Sequence, residues 1–147
     1  MLLRDYIPQD FPQLIKLWQE LDMSSKERGD SPEIILQTIE HGGRLIIMEE
    51  TETGVIIGSS WMTFDGRRIF LHHFGIKKQY QRRGLGLKLA IESLNYIKQM
   101  GYQVKLEVHN ENIPAKNLYE KIGFTSFPNY DIYMIRNLNI IHTEIPD

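Results

Sequence analysis

Apolar residues recur at helical intervals in one long stretch near the middle of the chain. Between Gly86 and Gly101 the apolar positions follow the spacing of one helix face, and they are Leu87, Ala90, Ile91, Leu94 and Ile97. Most positions between them are polar, so one side of the helix would be buried and the other would face water. The pattern predicts an amphipathic helix that ends at Gly101.

Two shorter helices are predicted in the first third of the chain, after a short strand over residues 2–7. Asp10 stands at an N-cap position with Gln13 at the matching capping-box position, and an apolar stripe follows: Leu14, Leu17, Trp18 and Leu21. Ser31-Pro32 predicts a second helix start, because proline at the first helical position lacks an N–H that would stay unbonded anyway. That helix should stop at Gly42-Gly43.

The centre of the chain has the pattern of an antiparallel meander. Strands are predicted over residues 44–50, 55–64 and 68–77. Turn signals separate them, at Glu52-Thr53-Gly54 and at Asp65-Gly66. An Asp-Gly pair between two apolar runs is a strong hairpin signal.

The second half of the chain predicts a β-α-β unit. Residues 104–108 have apolar side chains at every second position, which indicates a strand. A helix separates this strand from the strand over residues 69–76, and a right-handed crossover would make the two strands parallel neighbours.

A further helix and two closing strands are predicted after this unit. Asn112 is an N-cap for a helix over residues 115–121, and Gly123 stands where helices often end. Residues 124–127 and 130–136 predict the closing strands. The fold class is therefore α/β (α+β), with a meander followed by a β-α-β-α-β-β half.

Composition indicates one domain and excludes several classes of function. The chain has 147 residues, 41% of them hydrophobic, and a net charge of −2, which suits a single domain over residues 1–147 with a core over 2–136 and a tail over 137–147. It lacks the basic footprint of a nucleic-acid binder, a signal peptide and an apolar membrane span, so we expect a cytoplasmic protein that binds no nucleic acid or membrane. The absence of cysteine excludes disulfides and thiolate metal sites.

A glycine-bearing turn joins the strand over residues 69–76 to the amphipathic helix. Its sequence is Gln81-Arg82-Arg83-Gly84-Leu85-Gly86. A helix N-terminus presents free backbone N–H groups and a partial positive charge. Glycines let the backbone approach an anion without a Cβ in the way. The turn predicts a phosphate or pyrophosphate site, with a tight turn and a solvated basic face as the alternative.

Two familiar nucleotide motifs do not match this turn. It lacks the Lys-Ser/Thr of a P-loop, which disfavours ATP or GTP hydrolysis. It also lacks the third glycine of the dinucleotide fingerprint and follows a meander, whereas that fingerprint follows the first strand of its unit.

Two stretches in order resemble motifs of the GNAT superfamily of N-acetyltransferases. Residues 80–86 resemble motif A, which has the form Gln/Arg-x-x-Gly-x-Gly/Ala after a central strand. Residues 112–124 resemble motif B, Asn-x-x-Ala-x-x-Leu-Tyr-x-x-x-Gly-Phe. The resemblance implies the GNAT acyl-CoA N-acyltransferase fold, a mixed central sheet of about seven strands with about four helices and with strands splayed at the cofactor site.

The resemblance also implies acetyl-CoA as the acyl donor, a primary amine of a small molecule or protein as the acceptor, and no metal. In the family, the amides of the motif A turn hold the pyrophosphate and the preceding strand pairs with the pantetheine arm. The cofactor-binding residues implied here are Phe74, Gly75, Ile76, Arg82, Arg83, Gly84, Leu85, Gly86, Leu87, Asn112 and Tyr119.

Direct attack of an amine on the thioester needs a base for the amine and an acid for the leaving thiolate. Tyr119 matches the motif B tyrosine that lies near the CoA sulfur, so the resemblance implies that it is the acid. Packing against Ile122 or Phe124 is its alternative role. By the same resemblance, the oxyanion would meet a backbone N–H near Ile76.

The base has three candidates. His72 matches a strand position at which several family members carry the base, and an imidazole titrates near neutral pH. Strand alternation predicts that His72 and His73 lie on opposite faces, with His72 on the face of Phe70, Phe74 and Ile76. His73 and bulk water are the alternatives to His72.

Acceptor selectivity in this family usually comes from two loops, here residues 23–30 and 127–131. Acidic side chains in or beside the first loop would attract a cationic amine or would simply be solvated: Asp22, Glu27 and Asp30. Three polar residues follow the parallel strand, His109, Asn110 and Glu111. They would either contact the acceptor or form an ordinary polar loop. The strand histidines and His109 lack the spacing of metal ligands.

A second class of function competes with the enzyme. A GNAT-fold module could bind acyl-CoA as a sensor, without catalysis. The candidate acid and base favour the enzyme over this alternative. Dimers are common in the family, so a homodimer is compatible with the resemblance.

Overall fold

The strands form one sheet in the order in which they occur along the chain. The computed structural model describes residues 1–25 and 28–144. The strands are β1 (Leu2–Asp5), β2 (Arg44–Glu50), β3 (Val55–Phe64), β4 (Ile69–Ile76) and β5 (Val104–Leu106). Strands β1 to β4 pair antiparallel and β5 pairs parallel with β4. The predicted meander and the parallel crossover are confirmed.

Four α-helices accompany the sheet among the described residues: α1 (Phe11–Glu20), α2 (Pro32–Glu40), α3 (Leu85–Met100) and α4 (Ile113–Lys121). Helices α1 and α2 share a buried cluster with alternate residues of β2 and β3. Helix α3 shares a second cluster with the residues between them. Because successive strand residues point to opposite faces, α1 and α2 cover one face of the sheet and α3 covers the other.

Two stacked tryptophans form the centre of the face under α1 and α2. The rings of Trp18 and Trp61 lie 5.6 Å apart and nearly parallel, and both residues are almost fully buried. Each indole N–H is bonded, Trp18 to the Ser59 hydroxyl at 2.9 Å and Trp61 to the Thr38 hydroxyl at 3.0 Å. Buried indole groups need such partners, so this pair fixes α1 and α2 against β3.

The buried face of α3 differs from the predicted stripe. Ala90 and Ile97 are buried as predicted, but Ile91 is 49% exposed and Leu89 and Ser93 are buried instead. Ser93 shares a 2.7 Å hydrogen bond with the hydroxyl of Ser60 on β3. This hydrogen bond allows a polar side chain of α3 to lie in the buried interface with the sheet.

The predicted helix caps are partly confirmed. The Ser31 hydroxyl accepts a hydrogen bond from Ile34 N, as predicted for α2. Asp10 stands directly before α1, as predicted, but its side chain does not cap that helix. Its carboxylate instead accepts two hydrogen bonds from the Arg4 guanidinium, at 2.7 and 2.8 Å. Gln13 reaches β3 and accepts from Ile56 N. The guanidinium supplies two charge-assisted hydrogen bonds, and this bidentate pair holds the Asp10 carboxylate toward β1 and away from the first amides of α1.

The predicted closing strands over residues 124–127 and 130–136 do not form. In the described part of the chain the sheet has five strands, not about seven, and it ends at β5. β5 itself ends at Leu106, two residues before the predicted end. Residues 125–144 are exposed throughout. An apolar alternating segment becomes a strand only when a neighbour accepts its backbone hydrogen bonds, and this segment has none beside it.

Candidate functional site

The sheet opens between β4 and β5. The two strands pair at three positions only, and the last of these joins Leu71 to Leu106. Beyond Leu71, the side of β4 that faces β5 has no partner strand among the described residues. The predicted splay is therefore confirmed, and it leaves the edge of β4 that faces away from β3 without a strand partner over residues 72–76. An extended ligand with its own amide groups can pair with such an edge.

A β-bulge lies in β4 at this opening. Ser59 of β3 pairs with Gly75 and Trp61 pairs with His72, so two steps along β3 match three along β4. His73 lies within the bulge with a φ of 47°, a left-handed value that is uncommon for a residue with a side chain. A bulge of this kind bends the strand and redirects its side chains.

The bulge is held by hydrogen bonds from the tryptophan core. The Ser59 hydroxyl donates to the backbone oxygen of His73 at 2.7 Å. The same hydroxyl accepts the indole N–H of Trp18 at 2.9 Å. The strained backbone is therefore tied to α1 through one serine.

The bulge brings both strand histidines to one face, and the prediction that they lie on opposite faces was wrong. The His72 ring stacks on Trp61 with centroids 4.8 Å apart, and the His73 ring meets Trp61 edge-on at 5.1 Å. Phe74 and Ile76 belong to the cluster on the other face, with α3. The extra residue in β4 inverts the alternation, so of the predicted face-mates only Phe70 lies beside His72.

The glycine-bearing turn presents a row of free amides beside the splay. Arg82 and Gly84 have φ values of 61° and 73°, and α3 begins at the next residue. The first helical hydrogen bond runs from Lys88 N to Gly84 O at 3.1 Å. Within the described residues, none of the backbone N–H groups from Arg82 to Leu87 donates to the protein. Such a concavity at a helix N-terminus binds anions.

The turn is fixed to β4 and carries exposed positive charge. The Gln81 side-chain amide donates to the backbone oxygen of Ile76 at 2.8 Å. Arg82 and Arg83 are exposed, and the Arg83 guanidinium lies over the Tyr80 ring at 5.3 Å. The end of β4 and the free amides of α3 therefore form one continuous surface.

Helix α4 closes the other side of the opening. The Tyr119 ring meets Phe74 of β4 at 6.0 Å and Phe124 at 5.7 Å. Leu118 lies 3.8 Å from the place where a Cβ on Gly86 would stand, so α4 rests on the start of α3. The Asn112 carboxamide oxygen caps α4 by accepting from Ala115 N at 3.3 Å.

The sequence profile of the acetyltransferase (GNAT) family matches residues 11–124. The chain belongs to this family of acetyltransferases. An acetyltransferase of Sodalis glossinidius is 25% identical to it over 126 residues, covering 84% of this chain and 87% of the relative.

Solved GNAT structures share the fold at low identity. A GNAT-family acetyltransferase of Staphylococcus aureus superposes with a TM-score of 0.73 at 18% identity, over 83% of this chain and 81% of that one. Glucosamine-6-phosphate N-acetyltransferase from Arabidopsis thaliana gives a TM-score of 0.70 at 21% identity, over 93% of this chain and 97% of that one. The five-stranded mixed sheet with four helices is thus a GNAT fold.

His72 of this GNAT chain is a half-buried imidazole. Its Nε2 atom lies 3.1 Å from the Thr63 hydroxyl. The pKa of His72 is lowered to about 4, mainly because burial disfavours the charged ring. The neighbouring His73 also lowers this pKa, and the Asp30 carboxylate acts in the opposite direction. At neutral pH the ring therefore carries no charge and has a nitrogen that can accept a proton or a hydrogen bond.

His73 ties the first loop to the bulge. Its Nε2 atom lies 2.9 Å from the Asp30 carboxylate, and the two side chains are 6% and 12% exposed. Its ring packs against Trp18 at 4.4 Å. Asp30, predicted as a loop charge, is thus the partner of a core histidine. Glu27 lies outside the described residues.

Tyr119 is a protonated phenol at the mouth of the opening. Burial raises its pKa to about 12, so the hydroxyl keeps its proton throughout the neutral range. Tyr119 and His72 lie on opposite faces of β4, and the splay runs between them. A group that enters the splay from the turn therefore passes between a neutral acceptor and a neutral donor.

The remaining candidates lie apart from this arrangement. His109, Asn110 and Glu111 are exposed loop residues, and the His109 ring accepts from Glu111 N at 3.1 Å. No cluster of three or more potential ligands for a metal ion occurs within residues 1–25 and 28–144. In the same part of the chain, no helix combines the length and apolarity that crossing a membrane requires.

Proposed function

We propose that this chain transfers the acetyl group of acetyl-CoA to a primary amine of a small molecule or a protein. Family membership supports acetyl transfer in general terms. The observation that carries the proposal is one continuous surface: the free edge of β4, the unbonded amides of residues 82–87 and the Tyr119 hydroxyl. Each part suits a different portion of one long, anionic, amide-bearing thioester.

The pyrophosphate suits the turn at the start of α3. Six successive amides without protein partners offer hydrogen bonds, and the helix dipole with Arg82 and Arg83 adds positive potential. The pantetheine arm carries two amide groups, which suit the edge of β4 at Phe74, Gly75 and Ile76 that has no strand partner. Asn112 uses its carbonyl oxygen in the α4 cap and keeps its side-chain NH₂ free for the same arm.

The thioester would then lie in the splay, between Tyr119 and His72. Acetyl-CoA supplies the activated acyl group. The amine attacks the carbonyl carbon, the C–S bond breaks, and the Tyr119 hydroxyl donates to the sulfur as negative charge develops there. A backbone N–H near Ile76 would face the oxyanion.

His72 would accept a hydrogen bond from the attacking amine. An imidazole with a pKa of about 4 holds a full proton weakly, so the proton passes on to solvent. An amine that is already neutral would need no base before its attack, and bulk water would then take the proton that its nitrogen loses once the C–N bond has formed. His73 is a weaker candidate, because its ring is bonded to Asp30 and packed against Trp18.

Binding at the turn is tested by a charge placed on Gly84. Nothing lies within 4 Å of a Cβ at this position, and both aspartate and asparagine tolerate the left-handed backbone there. Gly84→Asp puts a carboxylate where the pyrophosphate would lie, so we expect acetyl-CoA affinity to fall at least about tenfold relative to Gly84→Asn.

Thermal unfolding with and without acetyl-CoA gives the readout. Ligand at about 100 times its dissociation constant stabilises the native state by roughly 2.7 kcal/mol, or very roughly 5 to 10 °C for this size of domain. Gly84→Asn should keep this rise and Gly84→Asp should lose most of it, with NADH and ATP as control ligands. No rise in the wild type would overturn the proposal, and equal rises in both variants would move the site away from the turn.

A further inference from the structure

Two apolar side chains from the end of α1 rest directly on the backbone of Gly75 in β4. A Cβ built on Gly75 would stand 2.7 Å from the terminal methyl carbon of Met23 and 2.9 Å from Cδ1 of Leu21. Both side chains belong to the cluster under α1 and α2, whereas Phe74 belongs to the cluster on the opposite face. Any side chain at position 75 would displace them, so this contact depends on the glycine.

Local structure fixes the position of these two side chains. Leu21 N donates to Leu17 O at 3.0 Å, and Met23 N donates to Trp18 O at 2.7 Å. Asp22 between them has a φ of 57°, a left-handed value that ends α1 and turns the chain. Leu21 and Met23 are half-buried against the tryptophan cluster. They are therefore held over Gly75 by the same core that holds the bulge.

The N–H group of Ile76 points into the splay. Lys77 N donates to Ile57 O of β3 at 2.7 Å, and successive residues of a strand direct their N–H groups to opposite edges. The Ile76 N–H therefore points away from β3. The Ile76 oxygen points the same way, because it accepts from the Gln81 side chain at 2.8 Å. This N–H is the one that would face the oxyanion of the proposed reaction.

These positions orient the thioester, and this step rests on the proposed function, in which the thioester lies in the splay. A thioester is planar, so its oxygen, sulfur and acyl chain point in three different directions from the carbonyl carbon. With the oxygen toward Ile76 N–H and the sulfur toward Tyr119, on the face of α3, the acyl chain points to the other face of β4. Leu21 and Met23 cover that face beside the opening.

We propose that Leu21 and Met23 close the acyl end of the site, so that the protein selects acetyl-CoA over donors with longer acyl chains. The methyl group of an acetyl chain would end against these two apolar side chains. Each further methylene would have to displace side chains that are already packed on the Gly75 backbone. Forcing extra methylenes into a packed site is costly, which is the physical basis of the selectivity.

Truncation of Met23 tests this selectivity through binding alone, with no acceptor amine present. We expect the wild type to bind butyryl-CoA at least about tenfold more weakly than acetyl-CoA. Met23→Ala should lower this ratio of dissociation constants at least about tenfold. The removed atoms leave room for the two extra methylenes, and each methylene contributes roughly fourfold to affinity when it is buried. Calorimetric titration with each thioester measures the constants.

Met100→Ala is the matched control. Met100 is another half-buried methionine, and its terminal methyl lies 3.9 Å from the place of a Cβ on Gly42, in the cluster on the other face. This variant should keep the wild-type ratio. Leu21→Val is a smaller truncation for the case in which Met23→Ala does not fold, and it should improve the binding of propionyl-CoA relative to acetyl-CoA at least about threefold. Thermal unfolding shows which variants are folded.

The outcomes separate this inference from the proposed function. A wild type that binds no acetyl-CoA overturns the proposed function, and the inference with it. A wild type that binds acetyl-CoA and butyryl-CoA equally well overturns the inference alone. The same holds if folded Met23→Ala and Leu21→Val keep the wild-type ratios, or if Met100→Ala changes the butyryl ratio as much as Met23→Ala does.

Discussion

Replacing Tyr119 with phenylalanine should lower kcat at least about tenfold, and general acids often contribute more. The substitution removes only the hydroxyl, so the contacts of the ring with Phe74 and Phe124 remain and α4 keeps its place. Without the phenol, the leaving sulfur departs as an unassisted thiolate. The dissociation constant of acetyl-CoA should change by less than about twofold, because the lost interaction forms in the transition state.

The measurement is a steady-state comparison of thiol release with a parallel binding titration. Tyr102→Phe is the matched control, because Tyr102 is 43% exposed and lies beside Phe64, away from the opening. A Tyr119→Phe enzyme with unchanged kcat would show that another group assists the sulfur. With a pKa of about 12, Tyr119 should also add no acid-side limb to the pH–rate profile near neutrality.

Acid should destabilise the fold through His72. Burial lowers the pKa of His72 from 6.5 to about 4, so the unfolded chain binds a proton more readily than the folded one between these values. The stabilising contribution is complete above pH 6.5 and is lost as the pH falls toward 4. The full shift corresponds to about 3 kcal/mol, and about 2 kcal/mol of it is lost by pH 5.

Urea unfolding at neutral pH and near pH 5 measures this loss. His72→Gln removes the titrating group, so the variant should lose about 2 kcal/mol less than the wild type over the same interval. His109→Gln is the control, because His109 is an exposed loop residue and should leave the wild-type pH dependence unchanged. Equal acid losses in His72→Gln and the wild type would contradict the neutral state of His72 in the folded protein.

Elements with a local cause could be predicted from the sequence. The hairpin at Asp65-Gly66 depends on a short turn, and the start of α2 depends on the Ser31 hydroxyl and the proline after it. The turn before α3 could be located because glycine and a helix start occur together. Each of these features depends only on residues that are adjacent in the sequence, so the local sequence is enough to predict it.

The orientation of the strand histidines could not be predicted, because its cause lies elsewhere in the chain. Alternation holds along β4 until the bulge at His73. That bulge depends on a hydroxyl from β3 and an indole from α1, Ser59 and Trp18. Trp61, which stacks on His72, was missed as part of the site for the same reason. The adjacent histidines before Gly75 give no sequence signal that one residue there is extra.

The closing strands were predicted from a pattern that is necessary but not sufficient. Residues 130–136 have the apolar character of a strand, but strand formation depends on a neighbouring edge. Periodicity within the segment does not show whether such an edge lies beside it.

The most direct test of the central claim is acetyl transfer itself. The protein has no cysteine, so any thiol that appears with acetyl-CoA and a panel of primary amines comes from the cofactor. We expect thiol release that depends on one class of amine, with a matching acetylated product by mass spectrometry. Tight binding of acetyl-CoA without thiol release in the presence of any small-molecule or peptide amine of the panel would contradict catalysis and favour an acyl-CoA sensor.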